Sequence, residues 1–250
     1  MNFITDPWFY VWAIPAVIIT GISKTGLGAG VGSVAVPMMS QVIAPGAAAG
    51  IMLPILCVMD VLGLRAHRGK WDWQSVKHMM LPAILGIVIG ALSFGSLSVN
   101  TTKALLGGIS VAFSIYQLIP ALRDLKTWLP EWLRPWLWCG LSGFTSTLAH
   151  AGGPPITIYL WPKKIDRMQF MAITVVFFTV VNAVKLIPFA ILGQLSLSNL
   201  ATSLVLMPFA PVGVWLGVRL NNVINDVIFR RVTLACLSLL GVRLLYEGLK

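Results

Sequence analysis

Gly21-Ile22-Ser23-Lys24-Thr25-Gly26-Leu27-Gly28-Ala29-Gly30-Val31-Gly32-Ser33-Val34-Ala35-Val36-Pro37 is the stretch on which the fold turns. It joins two apolar runs, 8–23 and 34–44. Glycine at every second position from 26 to 32 leaves no regular lipid-facing helix there. Irregular backbone survives at membrane depth only when it is buried in protein or lines a watery cavity, because its N–H and C=O groups need partners. Lys24 lies too deep to reach either interface easily, and an ammonium in hydrocarbon costs several kcal/mol unless compensated. The stretch therefore reads as a bend of chain held inside a membrane protein.

Composition outside it agrees. Of the 250 residues, 57% are hydrophobic and only 10% charged, less than half the roughly 25% typical of soluble domains. A water-exposed globule cannot be built from that. Apolar runs at 46–64, 79–97, 103–121, 168–192, 200–218 and 232–246 each approach the roughly 20 residues that a crossing needs. The remaining apolar stretches form two pairs, 8–23 with 34–44 and 136–150 with 154–162. Their second arms are short: a nine-residue helix rises only about 14 Å. Each pair is thus expected to be a re-entrant or broken-helix hairpin. The expected fold is an all-α integral membrane protein of two inverted-topology halves within one transmembrane domain. Residues 1–122 hold hairpin 8–44 and the first three spans, and residues 123–250 hold hairpin 136–162 and the last three.

The formal charge of +10 encodes topology and does not point to a nucleic-acid partner, because the basic residues sit in short loops between apolar runs. Loops 65–78 (Arg65, Arg68, Lys70, Lys77), 122–135 (Arg123, Lys126, Arg134), 163–167 (Lys163, Lys164, Arg167) and 219–231 (Arg219, Arg230, Arg231) are the basic ones. Opposite loops carry Lys103 and Lys250. Cytoplasmic loops carry the Lys and Arg excess, so hairpin 136–162 enters and leaves from the cytoplasm and hairpin 8–44 from outside. Both termini are expected outside a multi-pass protein of the cytoplasmic membrane. Met1–Asp6 has no basic n-region, so the first segment is expected to belong to the mature fold. Cys57, Cys139 and Cys236, odd in number and within apolar runs, read as packing residues. Tryptophans at segment ends, such as Trp8, Trp73, Trp132 and Trp161, read as an interfacial belt.

A faint duplication falls where this topology requires it. Gly21-Ile22-Ser23 matches Gly140-Leu141-Ser142, 119 residues on. Gly86 with Gly90 matches Gly213 with Gly217, 127 residues on, each pair preceded by Pro82 or Pro208. Glycines four apart let helix backbones approach closely, so these pairs are assigned to the contact between halves. The second bend is Ser142-Gly143-Phe144-Thr145-Ser146-Thr147-Leu148-Ala149-His150-Ala151-Gly152-Gly153, followed by Pro154-Pro155. Glycine-rich bends offer backbone amides to an anion, and the half-helix after each bend aims its positive end at the same place. A soluble phosphate loop is excluded: the first bend has no Gly-Lys-Ser/Thr ending, and Ser33 stands where a dinucleotide fingerprint needs glycine.

On these residues the chain resembles the TauE/SafE sulfite exporter family, or TSUP transporters. The resemblance is carried by Gly21–Pro37, by Gly140–Tyr159 with its Ala-Gly-Gly-Pro-Pro core, and by Asn182-x-x-Lys185. It implies export of sulfite, a related small sulfur-containing anion or an organosulfonate across the cytoplasmic membrane, with no cofactor. Where many members read Gly-x-Gly-Gly-Gly at the bends, this chain has Gly28-Ala29-Gly30-Val31-Gly32 and Ala149-His150-Ala151-Gly152-Gly153.

The expected substrate-binding residues are Ser23, Lys24, Thr25, Gly26, Gly28, Gly30, Gly32, Ser142, Thr145, Ser146, His150, Gly152, Gly153, Asn182 and Lys185. Hydroxyls can donate to an oxyanion, although Ser and Thr also bond back to helix carbonyls. Lys24 reads as a substrate contact, against a structural pairing with carbonyls. Lys185 is divided between the substrate path and snorkelling to the outer interface, while Arg243 is read as snorkelling. His150 reads as a proton-sharing group or as a neutral imidazole bonded to backbone. Asp60 is expected to pair with a basic loop residue, with a proton relay as its alternative. An anion channel is the first rival function. A membrane-embedded enzyme is the second, weakened by the lack of an acid, base or ligand cluster around His150.

Overall fold

The computed structural model describes residues 3–27, 31–119, 129–163, 165–220 and 226–250. Most of these residues are helical, with no strand among them. Helix α1 is Pro7–Ile22, running into a wide π turn, Ser23–Leu27; a 3-10 turn, Val31–Val34, then leads into α2, Ala35–Met39. There follow α3 (Pro45–Ala66), α4 (Trp73–Ser96), α5 (Val99–Leu118), α6 (Arg134–Ala149), α7 (Gly153–Leu160), α8 (Arg167–Ile191), α9 (Leu197–Leu206), α10 (Phe209–Leu220) and α11 (Asp226–Leu249).

Short polar side chains set many of the starts by accepting from the orphan amides of a first turn. Asp6 caps α1 through Trp8 N, Asp72 caps α4 through Gln74 N and Ser75 N, and Asp166 caps α8 through Gln169 N. Ser98 and Ser196 do the same for α5 and α9. Helices α3 and α6 instead begin with proline in the first turn, where its missing N–H costs nothing.

Among the described residues, five segments are long and apolar enough to cross a membrane: Pro7–Thr25, Pro45–Ala66, Trp73–Ser96, Arg167–Ile191 and Arg231–Leu249. The pair Leu197–Leu206 and Phe209–Arg219 makes a sixth if taken as one span bent by 44°. Pro208 stands at that break, where it can neither donate a ladder bond nor fit the preceding turn. Two expectations change. The run at 103–121 does form a helix, α5, but it falls outside the set of apolar spans. Its Thr102, Ser110, Ser114 and Gln117 are buried, and Ser114 Oγ reaches Leu234 O of α11, so the polar residues face a helix partner. The first arm of hairpin 8–44, with its turn, has the length of a full crossing, whereas the second arms α2 and α7 are short.

Glycines decide how the helices pair. A methyl on Gly21 would lie 2.8 Å from the Gly213 backbone, and one on Gly217 would meet Ile22 and Thr25, so α1 and its turn run alongside α10 in the same direction. A methyl on Gly86 would strike Gly140 O, and one on Gly90 would meet Phe144 and Thr147, so α4 runs alongside α6 likewise. Both matched glycine pairs thus touch the opposite half of the sequence. Helices α5 and α11 run antiparallel, Gly107 against Leu245 and Gly248 against Ala104. So do α3 and α8, with Asp60 at Asn182 and Gly63 at Val175. Of the three free cysteines, Cys139 is buried but Cys236 is exposed on α11, a surface residue and not the packing residue expected.

Candidate functional site

The two bends come together. Helix α7 touches the Val31–Val34 turn, and the first residues of both short helices, Ala35 and Gly153, line one cavity. Thr20 enters it from α1, Ser23 and Lys24 from the first bend, Ser146 and His150 from the second, and Asn182 from α8. Both bends contain non-standard backbone. The first has its π turn, a feature frequent at functional sites. The second closes on His150, the only described non-glycine residue with positive φ, at 51°. That left-handed cap lets His150 N and Ala151 N reach the carbonyls of Ser146 and Thr145, which ends α6 and turns the chain into α7.

Lys24 is almost wholly withdrawn from solvent, its side chain 10% exposed, and its Nζ lies 2.5 Å from Asp60 Oδ1. Asn182 Nδ2 donates to the other carboxylate oxygen at 2.7 Å. Asp60 does not pair with a basic loop residue as expected: it is 1% exposed, out of reach of the loops, and the ammonium at the bend compensates it. The carboxylate thus meets an ammonium on one oxygen and an amide donor on the other, the two kinds of partner that offset the burial of a charge.

Lys185 is fully buried, which rules out snorkelling. Its Nζ donates to Ser146 O at 3.0 Å, Ser146 Oγ at 2.9 Å and His150 Nδ1 at 2.8 Å. An ammonium has only donors, so Nδ1 accepts and His150 Nε2 carries the hydrogen that meets Ala49 O at 2.9 Å. The imidazole is neutral in this arrangement and stacks near Phe189, with centroids 5.9 Å apart. Ser146 Oγ, having accepted from Lys185, keeps its own hydrogen for a group in the cavity.

Other expected residues hold the frame. Ser142 Oγ donates to Gly152 O at 2.6 Å and Thr145 Oγ1 to Ala151 O at 3.0 Å, tying the second bend together. Thr25 Oγ1 bridges Gly21 O and Val214 O. Gly152 sits so close to Ser142 and Ser146 that a methyl would lie 2.7–2.9 Å from them. Gly26 is in the π turn and Gly32 in the 3-10 turn; Gly28 and Gly30 fall outside the described residues. Arg243 is more than half exposed and pairs with Glu247, away from the cavity. Asp60 is the member sequence reasoning missed. Its 122-residue separation from Asn182 lies between the 119 and 127 that separate the matched glycines.

A bundle of membrane-crossing helices around a cavity lined by Lys24, hydroxyls and an amide, with a second ammonium, Lys185, directly behind it, is the equipment of a transporter for small anions. The sulfite exporter TauE/SafE family model matches residues 13–244, and the chain belongs to that family. It is accordingly a multi-pass membrane transporter of the small-anion exporter type. No curated protein and no solved structure matches it.

Proposed function

We propose that the protein exports sulfite or a closely related sulfur oxyanion or organosulfonate by alternating access around the cavity between its two bends. One observation carries this: a single cavity is lined by Ser23 and Lys24 from one bend and by Ser146, His150 and Gly153 from the other. Hydroxyls, an ammonium and backbone at helix starts are the groups that replace the water around an oxyanion. Lys185 supports the second bend from behind by holding Ser146 and His150.

The inverted arrangement of the two halves draws support from the helix pairing. Helix α1 lies on α10 as α6 lies on α4, and the duplicated glycines make α1 the counterpart of α6 and α10 that of α4. Counterparts that run antiparallel, as α3 does to α8 and α5 to α11, call for a two-fold axis across the helices, which is the inverted-repeat geometry of many transporters. Orientation follows from the basic loops, with both termini outside the cytoplasmic membrane. With the cell interior negative, each exported negative charge gains about 2.3 kcal/mol per 100 mV, so no coupling ion is required.

The test is sulfite efflux from proteoliposomes. Wild type should show saturable efflux, while Lys24→Ala and Ser146→Ala should each slow it by on the order of 10-fold or more, the cost of one charge-assisted hydrogen bond. Efflux at the wild-type rate in both variants would remove the cavity from the mechanism. Flux proportional to concentration without saturation would favour a channel.

A further inference from the structure

Among the described residues Lys24 lines the cavity, and two further charged side chains stand directly behind its lining: Asp60, bonded to Lys24 and Asn182, and Lys185, bonded to Ser146 and His150. Two ammoniums against one carboxylate leave a single positive charge. His150 adds none, since its Nδ1 accepts from Lys185 and its Nε2 faces a carbonyl. Cys57, one turn before Asp60 on α3, contributes a thiol, and Asn182, Ser146, Ser23 and Thr20 are neutral. A lone charge buried in a low-dielectric interior is costly, and the cost returns with opposite sign if the ligand overshoots it. A ligand with one negative charge makes the occupied site neutral, whereas a dianion leaves it with a negative charge.

We propose that Asp60 sets the charge of the transported anion at one, so that the cavity takes monoanions such as bisulfite or an alkylsulfonate and discriminates against dianions of the same shape. This rests on reading the cavity as the anion site. Asp60 acts by cancelling one of the two ammoniums; without it the cavity would carry two positive charges and suit a dianion. Neutrality of the loaded site also lowers the cost of moving it past the hydrocarbon between outward and inward states.

Methanesulfonate and sulfate are the probes, both tetrahedral at sulfur with three oxygens in common, one a monoanion and the other a dianion at neutral pH. Their half-saturation is measured by thermal stabilisation of purified protein and by uptake into proteoliposomes. Wild type should prefer methanesulfonate by on the order of 10-fold or more, as expected for one unscreened charge at this range. Asp60→Asn, close in volume and still able to meet Asn182, should move the ratio toward sulfate by on the order of 10-fold. Equal affinity for both anions in wild type, or an unmoved ratio in folded Asp60→Asn, overturns the proposal. If Asp60→Asn is not monodisperse in detergent, Asn182→Asp decides: a second carboxylate should abolish methanesulfonate stabilisation, and unchanged stabilisation overturns the charge count. Wild type that binds neither probe, nor sulfite, overturns the anion site itself, a different failure from binding without charge preference.

Discussion

Two buried lysines solve the same problem by different means. Lys24 is matched by a carboxylate, while Lys185, fully buried, spends its hydrogens on a carbonyl, a hydroxyl and an imidazole nitrogen. Lys24 is legible in the sequence because a cation inside a glycine-rich apolar stretch is too expensive to be incidental. The fate of Lys185 is not, because which way a long side chain leaves a helix depends on what that helix packs against. Nor is the Lys24–Asp60 pair, which depends on how far α3 is slid along the first bend. His67, at the end of α3 and outside the apolar span, poses a related question. It is 5% exposed and neither ring nitrogen makes a full hydrogen bond. Burial, helped by nearby Lys70, pulls its pKa below the ordinary 6.5, a shift that the Thr25 backbone only partly offsets. Because the folded pKa is the lower one, protonation favours the unfolded state: the stability contribution is complete above pH 6.5 and is lost as pH falls toward the folded pKa. Thermal unfolding midpoints in detergent should therefore drop on acidification from about pH 7.5 to about 5.5. They should drop less in His67→Gln, and equal losses in the two proteins would show that this imidazole has no part in the acid response.

At the scale of helices, position was easier to foresee than contact. Asp6, Asp72, Ser98, Asp166 and Ser196 mark helix starts because a short acceptor before an apolar run is a cap, and all five cap helices here. The 200–218 run reads as one crossing, whereas Pro208 breaks it into two helices bent by 44°, because a proline removes a ladder bond and packing around it sets the angle. Pairing is governed by close approach, and adjacent glycines in α5 separate that effect from helix propensity. A methyl on Gly107 would meet Leu245 N and Gly241 O of α11, backbone that cannot swing aside, whereas a methyl on Gly108 has nothing within 4 Å. Gly107→Ala should destabilise by about 1–3 kcal/mol through overpacking. Gly108→Ala should be neutral or stabilising by up to about 1 kcal/mol from helix propensity. Unfolding midpoints in detergent that rank the two variants the other way would mean that the α5–α11 contact is looser than this geometry.

For the whole molecule, the feature on which the proposed inverted arrangement rests is that α1 packs on α10 and α6 on α4. Each bend is thereby packed against the far half of the sequence. The glycine pairs were legible as the contact between halves, but which helix each would meet was not, because spacing along one helix does not name its partner. The inverted arrangement is testable loop by loop, because equivalent loops must face opposite sides of the membrane. Arg68, between α3 and α4, has its counterpart in Ser198, after α8; Asn100, after α4, has its counterpart in Arg219, at the end of α10. All four are exposed or on exposed turns. Each would be replaced by cysteine in a background in which Cys57, Cys139 and Cys236 are alanine, and intact cells treated with a membrane-impermeant maleimide. Asn100→Cys and Ser198→Cys should label at once. Arg68→Cys and Arg219→Cys should label only after permeabilisation, since their loops carry the basic residues that remain in the cytoplasm. Labelling of Arg68→Cys and Ser198→Cys from the same face would leave the halves parallel, and a two-fold axis along the membrane normal could not then produce the antiparallel pairing of α3 with α8 that brings Asp60 to Asn182.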